Sequence, residues 1–86
     1  MKNKDNEESI VLDLINLLNK ILKKYKKEIR IKQINQPFYL NGLVDSLDFV
    51  NLIALIEKKY KFKFNISEID VDVTIKHLSK LVLKKQ

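Results

Sequence analysis

The chain's only proline, Pro37, and its only glycine, Gly42, share one short stretch, and helical apolar spacing runs up to that stretch and away from it. Proline biases the residue before it, Gln36, away from helical conformation. A lone glycine marks a backbone angle or a close approach that a side chain would forbid. The chain therefore reads as helices on either side of a long first loop. Before the loop, from Glu7 to about Lys27, apolar residues recur at Val11, Leu14, Leu18, Ile21 and Tyr25, flanked by Ile10, Ile15, Leu17 and Leu22. That spacing lays one broad apolar stripe on a helix. Asn6 is placed to cap it, and Glu7 and Glu8 stand in the first turn, where the helix dipole favours them.

Within the loop, Glu28-Ile29-Arg30-Ile31-Lys32-Gln33-Ile34 alternates like a strand, but no second clear strand exists to pair with it. It is expected to run extended and to tuck Ile29, Ile31 or Ile34 against the helices. Phe38 and Leu40 read as loop anchors on the core. A second helix is predicted from Ser46 to about Tyr60. Phe49, Leu52, Ile53, Ile56 and Tyr60 share one face, and Leu47, Val50 and Ala54 form an adjacent strip. A helix apolar over so much of its circumference is either central to the bundle or meets a partner. Lys61 to Asn65 then reads as an extended linker with Phe62 and Phe64 inward. Ile66 to Asp70 reads as a short helical turn capped by Ser67 or Asn65. Thr74 introduces a last helix from Ile75 to about Lys84, with Ile75, Leu78, Leu81 and Val82 buried and His77 off the stripe. The expected fold is all-α: three main helices and one short one, in a single domain over residues 7–86 after a flexible tail at 1–6.

Composition narrows the function. Eighty-six residues with 45% apolar content build one small core. They leave no room for a deep, water-excluding cleft, so the chain is not expected to be an enzyme. The absence of cysteine excludes a disulfide framework, a thiolate nucleophile and a cysteine zinc site, and a single histidine excludes a histidine-rich metal site. The first eight residues are polar and lack the apolar core of a secretory signal. Asp13, Asn16, Asn19 and Lys20 interrupt the run from Ile10 to Leu22, so no membrane span is expected there. A cytoplasmic protein follows as the expectation. Net charge is +6, but the basic runs (Lys23 to Lys27, Lys58 to Lys63, Lys84-Lys85) fall where helices end. Cations there meet the negative end of the dipole, typically for ~0.3–1 kcal/mol apiece when exposed. Asp45, Asp48, Glu68, Asp70 and Asp72 gather elsewhere, so charge is segregated along the chain.

One joint carries chemistry. Gly42-Leu43-Val44-Asp45-Ser46-Leu47-Asp48-Phe49 runs from loop into helix and puts a hydroxyl at the helix start. Ser46 is expected to act as the N-cap. The unpaired N–H groups and positive dipole end there make a resting place for an anion such as a phosphate.

The motif Asp45-Ser46-Leu47-Asp48, with Gly42-Leu43 before it and a helix ending Glu57-Lys58-Lys59-Tyr60 after it, resembles an acyl carrier protein. The resemblance covers nearly the whole chain, including the first amphipathic helix, the aromatic Phe38 in the loop, the short third helix and the final helix after Thr74. It implies a four-helix carrier bundle bearing 4′-phosphopantetheine on Ser46, delivered from coenzyme A by a magnesium-dependent phosphopantetheinyl transferase. The arm's thiol then holds an acyl or aminoacyl thioester, which explains how a chain without cysteine handles thioesters. By the same resemblance, Asp45 and Leu47 flank the cofactor site. Leu47, Asp48, Val50, Asn51 and Ala54 form the side that docks the transferase and the ligase or synthase enzymes, and the carrier is a monomer.

The chain departs from fatty-acid carriers in charge. Asn51 and Lys58-Lys59 stand where acids are common, leaving Asp48 and Glu57 on the second helix. With Ile66-Ser67-Glu68-Ile69-Asp70, this is nearer to D-alanyl or peptidyl carriers and implies a specialised pathway. Phe49, Tyr60, Phe62 and Phe64 imply a well-filled core that tolerates short or aminoacyl cargo better than a long acyl chain. Two alternatives stand beside this reading. One is a basic helical nucleic-acid-binding domain using Lys20, Lys23, Lys24, Lys27, Arg30 and Lys32 as phosphate contacts, although no helix reads as a groove-entering recognition helix. The other is a carrier-fold scaffold without the prosthetic group.

Overall fold

A computed structural model describes residues 6–86. Three α-helices form, α1 (Glu7–Leu22), α2 (Ser46–Tyr60) and α3 (Ile75–Lys84), and the described residues contain no strand. The all-helical expectation holds. The expected short helix is a single 3₁₀ turn at Ile66–Glu68, and two further 3₁₀ turns lie at Lys23–Tyr25 and Ile31–Gln33. Residues 1–5 of the expected tail lie outside the described residues.

Asn6 starts α1 through a reciprocal box. Its side chain accepts the Ser9 N–H at 2.8 Å, and Ser9 Oγ accepts the Asn6 N–H at 3.2 Å. Ile10, Val11, Leu14, Ile15, Leu17, Leu18 and Leu22 are buried. The stripe stops short of its predicted end: Ile21 is only half-buried and Tyr25 is exposed. After Leu22 the chain tightens into a 3₁₀ turn, and Lys26 at φ 58° ends it in left-handed conformation. Tyr25 leaves the core because its hydroxyl is engaged elsewhere, as described below.

The long loop is fastened at defined points. The Asn19 side chain accepts the Ile29 N–H at 2.8 Å and donates to the Ile29 carbonyl at 3.1 Å, which seats Ile29 in the core. Ile31, by contrast, lies in a 3₁₀ turn and is 55% exposed. The segment therefore buries Ile29, packs the half-buried Ile34 against the core and leaves Ile31 outside, without forming a strand. The carbonyl of Ile34 accepts the Lys76 N–H at 3.0 Å, satisfying one of the orphan donors in the first turn of α3. Phe38 is a true anchor, but Leu40 is not: it is 61% exposed on a turn whose neighbours supply the burial. Gly42 has φ 80°, and a Cβ there would meet nothing within 4 Å, so backbone conformation alone requires glycine.

α1 is the common wall of the bundle, packed against both α3 and α2, which have little direct contact with each other. Its burial is nearly continuous, whereas α2 buries Leu52 and Ile56 and leaves Leu47, Val50 and Ala54 outside. Of the two roles open to α2, the inner one belongs to α1. Phe62 and Phe64 are half-buried and meet edge to face at 4.8 Å. Thr74 caps α3 by accepting the His77 N–H at 3.0 Å, and Ile75, Leu78, Leu81 and Val82 are buried as expected, with His77 exposed. Ser79 shares that buried face. Its hydroxyl donates to the Ile75 carbonyl one turn back, at 2.8 Å, so it carries no unmet polar group. No helix among the described residues is long and apolar enough to cross a membrane.

Candidate functional site at the start of α2

The helix containing Ser46 spans the predicted residues, but its cap lies one residue earlier than the sequence suggests. Asp45, not Ser46, is the N-cap: it has extended backbone angles, and its Oδ1 accepts the Asp48 N–H at 2.8 Å. Aspartate caps as well as serine does, and here it stands one position closer to the loop. Ser46 becomes the first helical residue. Its side chain is exposed and has no hydrogen-bond partner among the described residues. The shift matters chemically, because a hydroxyl that caps is occupied and this one is not.

The other serines differ. Ser9 is spent on the α1 capping box, and Ser79 is buried and bonded to Ile75. Ser67 is exposed but lies in a three-residue 3₁₀ turn, which has no macrodipole to offer. Ser46 alone joins an open hydroxyl to the positive end of a long helix.

Asp48 was expected on the outer, partner-facing side, and the structure puts it inside at 1% exposure. Lys24 Nζ donates to its Oδ1 at 2.8 Å and Tyr25 Oη to its Oδ2 at 2.6 Å. The hydrogen bond from Lys24, then that from Tyr25, hold its carboxyl below the usual carboxylate range. In return, Asp48 raises both the Lys24 ammonium and the Tyr25 phenol through the same bonds. Glu57, the other acid of α2, is also turned inward: it accepts the Phe64 N–H at 2.8 Å and lies 3.9 Å from Lys63. Both carboxylates that remained on this helix are thus engaged within the chain.

Leu47 and Val50 are 66% and 60% exposed, and Asn51 and Ala54 are exposed beside them. Next to this strip lies an open apolar groove of about 420 Å³. Phe49, Val50, Ile53 and Ala54 form one side, and Phe64 and Ile66 are on the other. Phe49 does not fill the core as expected. It is half-buried, stacked on Tyr39 at 4.8 Å and tilted against the buried Phe38 at 5.8 Å.

A family model for the phosphopantetheine attachment site matches residues 13–82. The chain belongs to that family. Its domains are carriers, and their cofactor is covalently attached 4′-phosphopantetheine. Neither the curated proteins nor the solved structures give a match.

Sequence reading missed the engagement of Lys24 and Tyr25. Lys24 looked like one more dipole cation and Tyr25 like the end of a stripe. A signal was present: the dipeptide Lys-Tyr recurs at Lys59-Tyr60, and this second pair also closes on an aspartate, Asp13. Asp48 gave a signal too, since it precedes Leu52 and Ile56 on one i, i+4 row and so shares their buried face.

Proposed function

We propose that this chain carries acyl or aminoacyl thioesters on a 4′-phosphopantetheine arm attached to Ser46. The observation that carries the proposal is the free, exposed hydroxyl at the start of α2, left open because Asp45 takes the capping role. In the loading step, Ser46 Oγ attacks the coenzyme A phosphorus that bears the pantetheine. The pyrophosphate P–O bond breaks, adenosine 3′,5′-bisphosphate leaves, and the serine proton passes to a base of the transferase. The phosphodiester formed is an anion at a helix N-terminus, where the dipole favours it. The arm's thiol supplies the thioester chemistry; this chain's own part is to present the hydroxyl and the surface around it.

Leu47, Val50, Asn51 and Ala54 are the proposed docking strip, with Asp45 and Leu47 flanking the attachment point. Asp48 no longer belongs to it. With Asp48 and Glu57 both held internally, α2 offers no free carboxylate to a basic partner. Charge complementarity governs encounter rate and partner choice, so fatty-acid enzymes that seek an acidic helix should serve this carrier poorly. That supports a specialised pathway loaded with an amino acid or a short acyl group by its own ligase. The nucleic-acid alternative loses ground on the same footing, because Lys24 is tied to Asp48 and Arg30 pairs with Glu28 at 3.2 Å.

The test is to incubate purified chain with coenzyme A, magnesium and a broad-specificity phosphopantetheinyl transferase and to record intact mass. The wild type should gain one phosphopantetheinyl group and Ser46→Ala none; an equal gain in Ser46→Ala refutes the assignment.

A further inference from the structure

The first turn of a helix is its least secured part, because its N–H groups lack intrahelical partners. Ser46 sits in such a turn, at the end of the loop that separates α1 from α2. Two devices bracket it. Before it, Asp45 caps the Asp48 N–H. After it, the Asp48 side chain reaches inward and is gripped by Lys24 and Tyr25, from the 3₁₀ turn that ends α1. An acid at this helix position gains from the dipole while remaining in water. Burying it is costly unless every lone pair is answered. Here both carboxylate oxygens are answered, by groups from a distant part of the chain.

We propose that Lys24, Tyr25 and Asp48 form a positioning clamp that fixes the first turn of α2 against the end of α1 and so presents the Ser46 hydroxyl to the transferase. The inference rests on Ser46 being the attachment point. It assigns Asp48 an indirect part: the residue acts through the placement of Ser46 and not by touching the transferase. The second Lys–Tyr pair supplies a control within the same molecule. Lys59 and Tyr60 grip Asp13, at the far end of the α1–α2 pair. Loosening that end weakens the helix pair without disturbing the turn that holds Ser46.

The experiment measures kcat and KM for phosphopantetheinylation of the apo chain, together with amide hydrogen exchange over residues 46–49. Tyr25→Phe and Lys24→Met keep Asp48 but remove one grip each, and Lys24→Arg restores a cationic donor. Expected for each of the first two is a loss of about tenfold in kcat with KM little changed, well inside the ~100-fold that an ångström of misplacement can bring. Exchange at 46–49 should quicken in parallel. Lys24→Arg should recover most of the rate, and Tyr60→Phe should leave both kinetic constants and the exchange at 46–49 at wild-type values. Wild-type rates in Tyr25→Phe and Lys24→Met overturn the clamp. Faster rates overturn it too, and assign the released Asp48 to direct contact with the transferase. Equal slowing by Tyr60→Phe reduces the effect to general stability and likewise defeats the proposal. A wild type that accepts no phosphopantetheine defeats the attachment reading itself, a result distinct from all of these.

Discussion

A Lys–Tyr dipeptide in the 3₁₀ turn after α1 and another at the end of α2 each close on an aspartate of the opposite helix. Lys24-Tyr25 holds Asp48, and Lys59-Tyr60 holds Asp13. The chemistry is the same and the surroundings are not. Asp48 is 1% exposed, whereas Asp13 keeps 20% of its side-chain surface in solvent. The inner carboxylate depends wholly on its two donors, while the outer one still has water to turn to. Two identical motifs therefore do different work. The outer clamp fastens two helices, and the inner one also fixes a turn bearing a free hydroxyl.

Four perturbations test that contrast, taken here from the largest expected effect to the smallest. Phe38 lies beneath the inner end, fully buried and against Phe49 of the first turn of α2. Phe38→Ala should lower unfolding free energy by about 3–5 kcal/mol in a urea titration. Next, Asp48→Ala should lower the urea midpoint more than Asp13→Ala does, because it removes a fully buried, doubly bonded carboxylate and leaves a void, whereas Asp13 is partly in solvent. Equal midpoints would erase the distinction between the clamps. Removing the cap with Asp45→Ala should cost about 1 kcal/mol, within the usual 0.5–2. Smallest is Lys59→Met at the outer clamp, at most about 1 kcal/mol and shrinking further in high salt, since its ammonium is half in solvent.

The inner clamp also has a pH signature. Asp48 is lowered in the fold from its ordinary 3.8, so its stabilising share is complete above that value and is lost as pH falls through the lowered one. Lys24 and Tyr25 are raised from 10.5 and 10.0, so their share is complete below those values and is lost as pH rises through the raised ones. Stability should therefore fall at both extremes and stay level between them. Urea midpoints for Asp48→Asn, measured across the same pH range, should show shallower falls at both ends. An unchanged profile would remove Asp48 as their source.

Much of the fold was legible because its signals are local. Asn6 and Thr74 are cap residues set directly before apolar helical spacing, and both cap. Ser46 through Tyr60 is helical as read, since both the residue types at the start and the repeat of Leu52 and Ile56 point the same way. What could not be read depends on partners far along the chain. Serine and aspartate cap equally well, so residue type could not choose between Asp45 and Ser46; the extended backbone at Asp45 decides it. The resemblance placed Asp48 on the docking side, and carboxylates are seldom buried unless paired. Its burial depends on Lys24 and Tyr25, which only the folded chain brings near it. Hydrophobicity placed Leu40 on the core and could not choose among Ile29, Ile31 and Ile34; in a loop only a few side chains reach the core, and Ile29 and Phe38 are buried there with Ile34 packed against them.

The central claim is that Ser46 Oγ is the attachment point. Tandem mass spectrometry on the wild-type chain after loading from coenzyme A measures this most directly. The phosphopantetheinyl group should map to Ser46 alone. Its appearance on Ser9, Ser67 or Ser79, or its absence with a transferase that modifies a control carrier, would contradict the assignment.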